Sequence, residues 1–179
     1  MRPVFLIGYM GCGKTTLGEE LARQMDLPYI DLDHYIEQQQ GFAIVDLFAM
    51  AGESRFREQE AKALREVAKK DGVIVGCGGG TPCHGDNMSV MNGAGITVWL
   101  MTSPERITRR LLLPEQKAMR PKIKNLPDED VLPLVERELQ ARAPYYAQAQ
   151  IRFDSTDIET GPDTERTARR LAAVLASRG

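Results

Sequence analysis

The chain has 179 residues, of which 42% are hydrophobic and 27% charged, and its formal net charge is −2. That length suits one domain with its own core, and the near-neutral charge supplies no basic field that would favour nucleic acid as the main partner. No apolar run approaches the roughly 18 residues of a membrane-spanning helix, and the odd set Cys12, Cys77 and Cys83 offers no disulfide framework, which fits a reducing cytoplasm.

The apolar run Val4–Ile7 predicts a strand, and a helical pattern over Lys14–Gln24 follows it. Between them stands Gly8-Tyr9-Met10-Gly11-Cys12-Gly13-Lys14-Thr15, a complete G-x-x-x-x-G-K-[ST] loop in the strand–loop–helix setting the motif needs. Its glycines let successive backbone N–H groups turn toward an anion. The helix behind it adds a partly positive N-terminus. Lys14 supplies a mobile charge for the outer phosphates, and the Thr15 hydroxyl is placed to ligate Mg²⁺. The motif therefore points to the phosphates of a nucleoside triphosphate. Cys12 lies inside this loop, which raises the expectation of a reactive, oxidation-sensitive thiol.

A second strand, Tyr29–Leu32, runs into acids. Two short helices are expected between His34 and Met50, separated by Gly41, and a longer one over Ser54–Lys69. The strand Val73–Val75 then leads into the glycine-rich run Gly76–Gly80. Cys77, Cys83 and His84 lie close together, but without a second ligand pair they make a poor zinc site. A strand is expected over Thr97–Met101, then a helix from Pro104, with Ser103 as its N-cap. Leu113–Pro127, carrying Pro114, Pro121 and Pro127, is expected to be a mobile excursion. The helix Asp128–Gln148, the strand Ile151–Phe153 and the helix Thr164–Ala176 complete the chain. Arg166, Arg169 and Arg170 read as a solvated face of that last helix. Strands alternating with helices predict an α/β fold with a parallel sheet of five strands flanked by helices.

In the segment Tyr29-Ile30-Asp31-Leu32-Asp33, alternation places Asp31 and Asp33 on one side of an extended chain. They stand at the carboxyl end of a strand, where open α/β proteins bind ligands. Two carboxylates there can divide their roles between a metal and a reacting hydroxyl. Turn chemistry, or an N-cap for the next helix, is the alternative for Asp33.

These residues resemble the shikimate kinase family, within the nucleoside-monophosphate-kinase-like group. The resemblance runs through the loop 8–16, Asp31-Leu32-Asp33, Phe56-Arg57-Glu58-Gln59-Glu60, Gly78-Gly79-Gly80, Arg120-Pro121 and Arg142-Ala143-Pro144-Tyr145-Tyr146. It implies a single three-layer P-loop kinase domain over 1–179, with substrate-binding helices about 33–61 and a mobile lid about 113–127. The implied reaction is ATP-dependent phosphorylation of the 3-hydroxyl of shikimate, a step toward chorismate and the aromatic amino acids. Arg57 and Arg142 would hold the substrate carboxylate, helped by the backbone N–H of Gly79. Asp33 would orient the reacting hydroxyl. ATP would lie on Gly11, Cys12, Gly13, Lys14, Thr15 and Thr16, with Arg110, or its competitor Arg109, against adenine and Arg120 closing over the β- and γ-phosphates. Thr15 would ligate Mg²⁺ directly, and Asp31 through water.

Leu111–Met119 looks a few residues longer than the family's link to the lid arginine, which leaves lid geometry open. Arg57 has an alternative as a helix partner of Glu60, and Arg142 as a snorkelling surface residue. A gluconate or nucleotide kinase on the same fold remains a rival, as does a nucleotide-sensing module without catalysis. No membrane or nucleic-acid partner is expected, and a monomer is the default.

Overall fold

β1 (Val4–Ile7) is buried along its whole length, and its side chains divide by parity. Val4 and Leu6 join one apolar cluster, while Phe5 and Ile7 join another. A strand with period-two side chains can do this only when both sheet faces are covered. The result is a three-layer arrangement, seen in a computed structural model that describes residues 1–178.

α1 (Lys14–Met25) and α9 (Gly161–Ala176) cover the Val4 and Leu6 face, through Leu17, Leu21, Ala168, Leu171 and Leu175. The opposite face is covered by α2 (Leu32–Gln40), α3 (Ile44–Val67), α4 (Asn87–Ala94), α5 (Pro104–Leu111) and α8 (Asp128–Tyr146), through Ile36, Leu64, Met91, Ile107 and Val135. With β2 (Tyr29–Asp31), β3 (Ile74–Gly76), β4 (Ile96–Met101) and β5 (Ile151–Asp154), the sheet has the order β2-β3-β1-β4-β5 and every pair is parallel. The expected five-stranded parallel sheet is therefore present. Its register sets Leu6 and Asp31 level with Gly76 on either side. The ends of β1, β2 and β3 thus open on one edge, as they do at ligand sites of open α/β sheets.

Several expectations need correction. β2 stops at Asp31, because Leu32 is wholly buried at the start of α2. Asp31 is the N-cap, accepting a hydrogen bond from His34 N–H at 3.2 Å, so Asp33 stands in the first helical turn rather than on the strand. Strand alternation is not what groups the two acids. The expected break between the second short helix and the longer one is present: Gly52, with φ of 79° and ψ of 170°, is not helical, so α3 is two helices meeting at a kink.

α4 was not anticipated. Met88 and Met91 bury its inner face, but Gly93 and the polar residues around it dilute the helical pattern. Finally, the 113–127 excursion contains two short helices that were not anticipated. The long link to Arg120 is taken up by α6 (Pro114–Ala118), and α7 (Pro121–Lys124) follows, each starting on a proline suited to a first turn. Ile123 of α7 is wholly buried and anchors the segment to the core.

Candidate active site

A cleft of about 1210 Å³ opens at the carboxyl edge of the sheet. Sites for single small ligands usually run to about 1,000 Å³ at most, so this one has room for two molecules.

One wall is the 8–16 loop. Gly8, Gly11 and Gly13 have φ of 147°, 78° and 95°, a range that favours glycine. Gly13 is the N-cap of α1 and brings no side-chain oxygen to it. The first helical bond runs from Leu17 N–H to the Gly13 carbonyl at 2.8 Å. The amides of Lys14, Thr15 and Thr16 are therefore left for an anion. Lys14 Nζ folds over the loop, donating to the carbonyls of Gly8 at 2.7 Å and Tyr9 at 2.9 Å.

Cys12 contributes only backbone. It is 1% exposed, and its Sγ packs beneath Gly8 and 3.7 Å from Lys14 Nζ. The fold thus shields the thiol from solvent. Among the described residues no group of three or more His, Cys, Asp or Glu side chains is arranged to hold a metal ion.

Asp31 and Asp33 form the facing wall with Gly78 and Gly79. Burial, reinforced by Asp31 and Glu60, pushes the Asp33 carboxyl up to about 6, against the opposing pull of Lys14 and Arg57. The glycine run then explains itself one residue at a time. A Cβ on Gly78 would lie 3.0 Å from Asp33 Oδ1, one on Gly79 would lie 3.2 Å from Arg142 Nη1, and one on Gly80 would lie 2.7 Å from Arg57 Nη2. Three consecutive bare backbone positions thus admit three charged side chains from α2, α8 and α3.

Sequence alternatives for the two arginines merge with the site reading. Arg57 Nη1 does pair with Glu60, at 2.8 Å, but Glu60 is 1% exposed and its other oxygen accepts from Thr81 Oγ1 at 2.6 Å. A buried carboxylate so fixed aims the guanidinium rather than merely decorating a surface helix. Arg142 lies over the Tyr9 ring at 5.2 Å and bonds Glu138 at 3.2 Å. The Gly79 carbonyl is held by the buried Tyr146 hydroxyl at 2.6 Å, which turns the peptide at this point.

Arg110 and Arg120 border the far end of the cleft. Arg110 donates to the carbonyls of Gly11 at 3.0 Å, Thr156 at 3.2 Å and Ile158 at 3.0 Å, tying the 8–16 loop to the β5–α9 connection. Its neighbour Arg109 points to Glu159 instead, at 3.6 Å. Arg120 is held to Gln116 through its carbonyl at 2.9 Å and its side-chain oxygen at 2.7 Å.

Sequence reasoning gave no role to Glu138, Tyr146 or Ser155, and saw Glu60 only as a helix partner of Arg57. Ser155 is buried and donates to the Cys12 carbonyl at 3.2 Å. Glu60 sits three residues after Arg57 on one helix, a spacing that signals the pair but not its burial. Nothing local signals the other three, whose partners lie far along the chain.

The family model described as shikimate kinase matches residues 10–175. The chain belongs to the shikimate kinase family. A shikimate kinase from Parabacteroides distasonis is 42% identical over 98% of this chain and 100% of its own length. The crystal structure of shikimate kinase from Bacteroides thetaiotaomicron superposes with a TM-score of 0.93 at 40% identity, covering 98% of each chain. Shikimate kinase from Acinetobacter baumannii in complex with shikimate gives a TM-score of 0.84 at 27% identity, covering 99% of this chain and 94% of that one. The family match also places the P-loop kinase fold, read from motifs and seen in the sheet order, on nearly full-length relatives.

Proposed function

We infer that the chain transfers the γ-phosphoryl group of ATP to the 3-hydroxyl of shikimate, giving shikimate 3-phosphate and ADP. The observation that carries this reading is the fit of Gly78, Gly79 and Gly80 against Asp33, Arg142 and Arg57, beside a loop built for a triphosphate. A small carboxylated ring with hydroxyl groups uses every one of those groups. Arg57 and Arg142 meet its carboxylate with planar donor forks, and the bare glycine backbone lets the ring approach closely.

In the reaction the 3-oxygen forms a bond to the γ-phosphorus as the bond to the bridging β–γ oxygen breaks. The hydroxyl proton passes to Asp33, whose carboxylate also orients the attacking oxygen. A loose transition state asks little of the base, so positioning and charge stabilisation carry most of the acceleration. Lys14 and the first-turn amides of α1 stabilise the phosphates, and Arg120 joins them as the 113–127 lid settles and excludes water.

The residues also fit Mg²⁺ held jointly with a nucleotide. Thr15 and Asp31 both line the cleft beside the 8–16 loop, a hydroxyl and a carboxylate that leave the rest of a coordination shell to nucleotide oxygens and water. Thr15 would ligate the ion directly and Asp31 through water, and the ion would neutralise charge on the β- and γ-oxygens. Arg110 would border adenine.

This reading takes 1–179 as one functional unit acting on shikimate and ATP, as a monomer in the cytoplasm, with no nucleic-acid or membrane partner. Among the described residues no helix is long and apolar enough to cross a membrane. The test is ADP release with shikimate, gluconate, AMP and CMP offered separately. Shikimate-dependent release alone supports the assignment. Release with gluconate or a nucleotide, or ATP binding without turnover on any acceptor, overturns it.

A further inference from the structure

Glu138 of α8 stands where three parts of the site meet. Its Oε2 accepts from the Tyr9 hydroxyl of the 8–16 loop at 2.7 Å and from Arg142 Nη2 at 3.2 Å. Its Oε1 accepts from Lys122 Nζ at 2.7 Å, and Lys122 belongs to α7 of the 113–127 segment. One oxygen therefore serves the fixed framework and the other serves the segment that borders the cleft. Burial alone would raise the Glu138 carboxyl, but the Lys122 and Tyr9 hydrogen bonds and the Arg142 charge outweigh it and hold it below its ordinary range. The carboxylate is ionised, and its charge is divided among its partners.

That division has a consequence for an acid ligand. A carboxylate paired only with Arg142 competes with any substrate carboxylate for the same guanidinium. A carboxylate that also carries the Lys122 ammonium competes less, because its charge is already partly neutralised. We propose that Glu138 is a positioning residue that couples the 113–127 segment to acid binding. With Lys122 docked, as it is here, Glu138 holds Arg142 more weakly and leaves it more open to the acceptor; with Lys122 withdrawn, Glu138 holds it more tightly. By linkage the acceptor in turn favours the docked segment.

The inference rests on the phosphotransfer reading, so wild-type turnover on shikimate is measured first, and its absence sinks that reading rather than this one. Shikimate KM, ATP KM and kcat are then compared for Lys122→Met, Lys122→Arg, Glu138→Gln and the double variant Lys122→Met with Glu138→Gln. Lys122→Met should raise shikimate KM about fivefold, with ATP KM and kcat nearly unchanged. Lys122→Arg should restore most of the loss. In the Glu138→Gln background, Lys122→Met should have no further effect, since the charge it modulates is gone. Equal losses in both backgrounds, or no loss in the first, overturn the proposal.

Lys122 is largely exposed, so its variants are expected to fold. Should Glu138→Gln not fold, amide exchange decides the question. Saturating shikimate should slow exchange across 113–127 in the wild type but not in Lys122→Met, and equal slowing in both overturns the coupling.

Discussion

Gly80 and Arg57 are held in direct apposition: a methyl group on Gly80 would lie 2.7 Å from Arg57 Nη2, while Glu60 grips the other side of the guanidinium at 2.8 Å. Gly80 itself has an ordinary backbone conformation, with φ of −90°, so the constraint is space and not strain. Gly80→Ala should therefore leave thermal stability almost unchanged but displace Arg57. Shikimate KM is expected to rise about tenfold or more, as for loss of one two-pronged contact, with ATP KM unaffected. Steady-state kinetics with each substrate varied separately checks this.

Asp33 should give the pH profile its acid limb. The proton acceptor must be ionised in the free enzyme, so kcat/KM for shikimate should climb as pH rises through about 6. Asp33→Asn should abolish that limb and lower kcat by about a hundredfold or more. Stability runs the other way. The folded chain holds the Asp33 proton more tightly than the unfolded chain, whose carboxyl titrates near 3.8. Stability from this group is thus greatest below 3.8 and is lost as pH rises through about 6. At pH well above that range Asp33→Asn should melt at a higher temperature than the wild type, which calorimetry measures.

Glu60→Ala removes the buried partner of Arg57 and the acceptor of the Thr81 hydroxyl at once. Because Arg57 keeps some solvent contact, the expected destabilisation is about 2 kcal/mol, below that of a fully buried broken pair. Urea unfolding measures it. Glu60→Gln keeps an acceptor for Thr81, so it should lose less stability while still weakening shikimate, because the aiming charge is gone.

Arg110→Ala cuts the link between the 8–16 loop and the carbonyls of Thr156 and Ile158. The nucleotide side should suffer alone. ATP KM is expected to rise about tenfold, with shikimate KM changed less than twofold, from the loss of charged hydrogen bonds that fix one wall. Arg109→Ala, whose partner is Glu159, serves as the control and should behave like the wild type.

The strands, the long helices and the 8–16 loop were legible because each is encoded locally. Val4–Ile7 is apolar throughout, and the loop carries its own glycines and lysine. α4 escaped because Gly93 and its polar neighbours blur the helical period, although buried Met88 and Met91 hold it in place. The Asp31 and Asp33 pair was found for the wrong reason. Both acids face the cleft, but through a helix cap and a first turn, since burial of Leu32 ended the strand one residue early. Motif position says nothing of which way the Cys12 side chain packs, and the fold buries its thiol.

By itself the sequence determined the order of strands and helices along the chain, the anion-binding loop and the chemical types available at each end of the site, because periodicity, glycine placement and charge are properties of short segments. Tertiary structure alone decided that Gly78, Gly79 and Gly80 receive Asp33, Arg142 and Arg57, and that Glu138 joins Tyr9, Lys122 and Arg142. Those meetings join residues far apart along the chain. They depend on sheet order and helix packing, which fix distances that no local pattern contains.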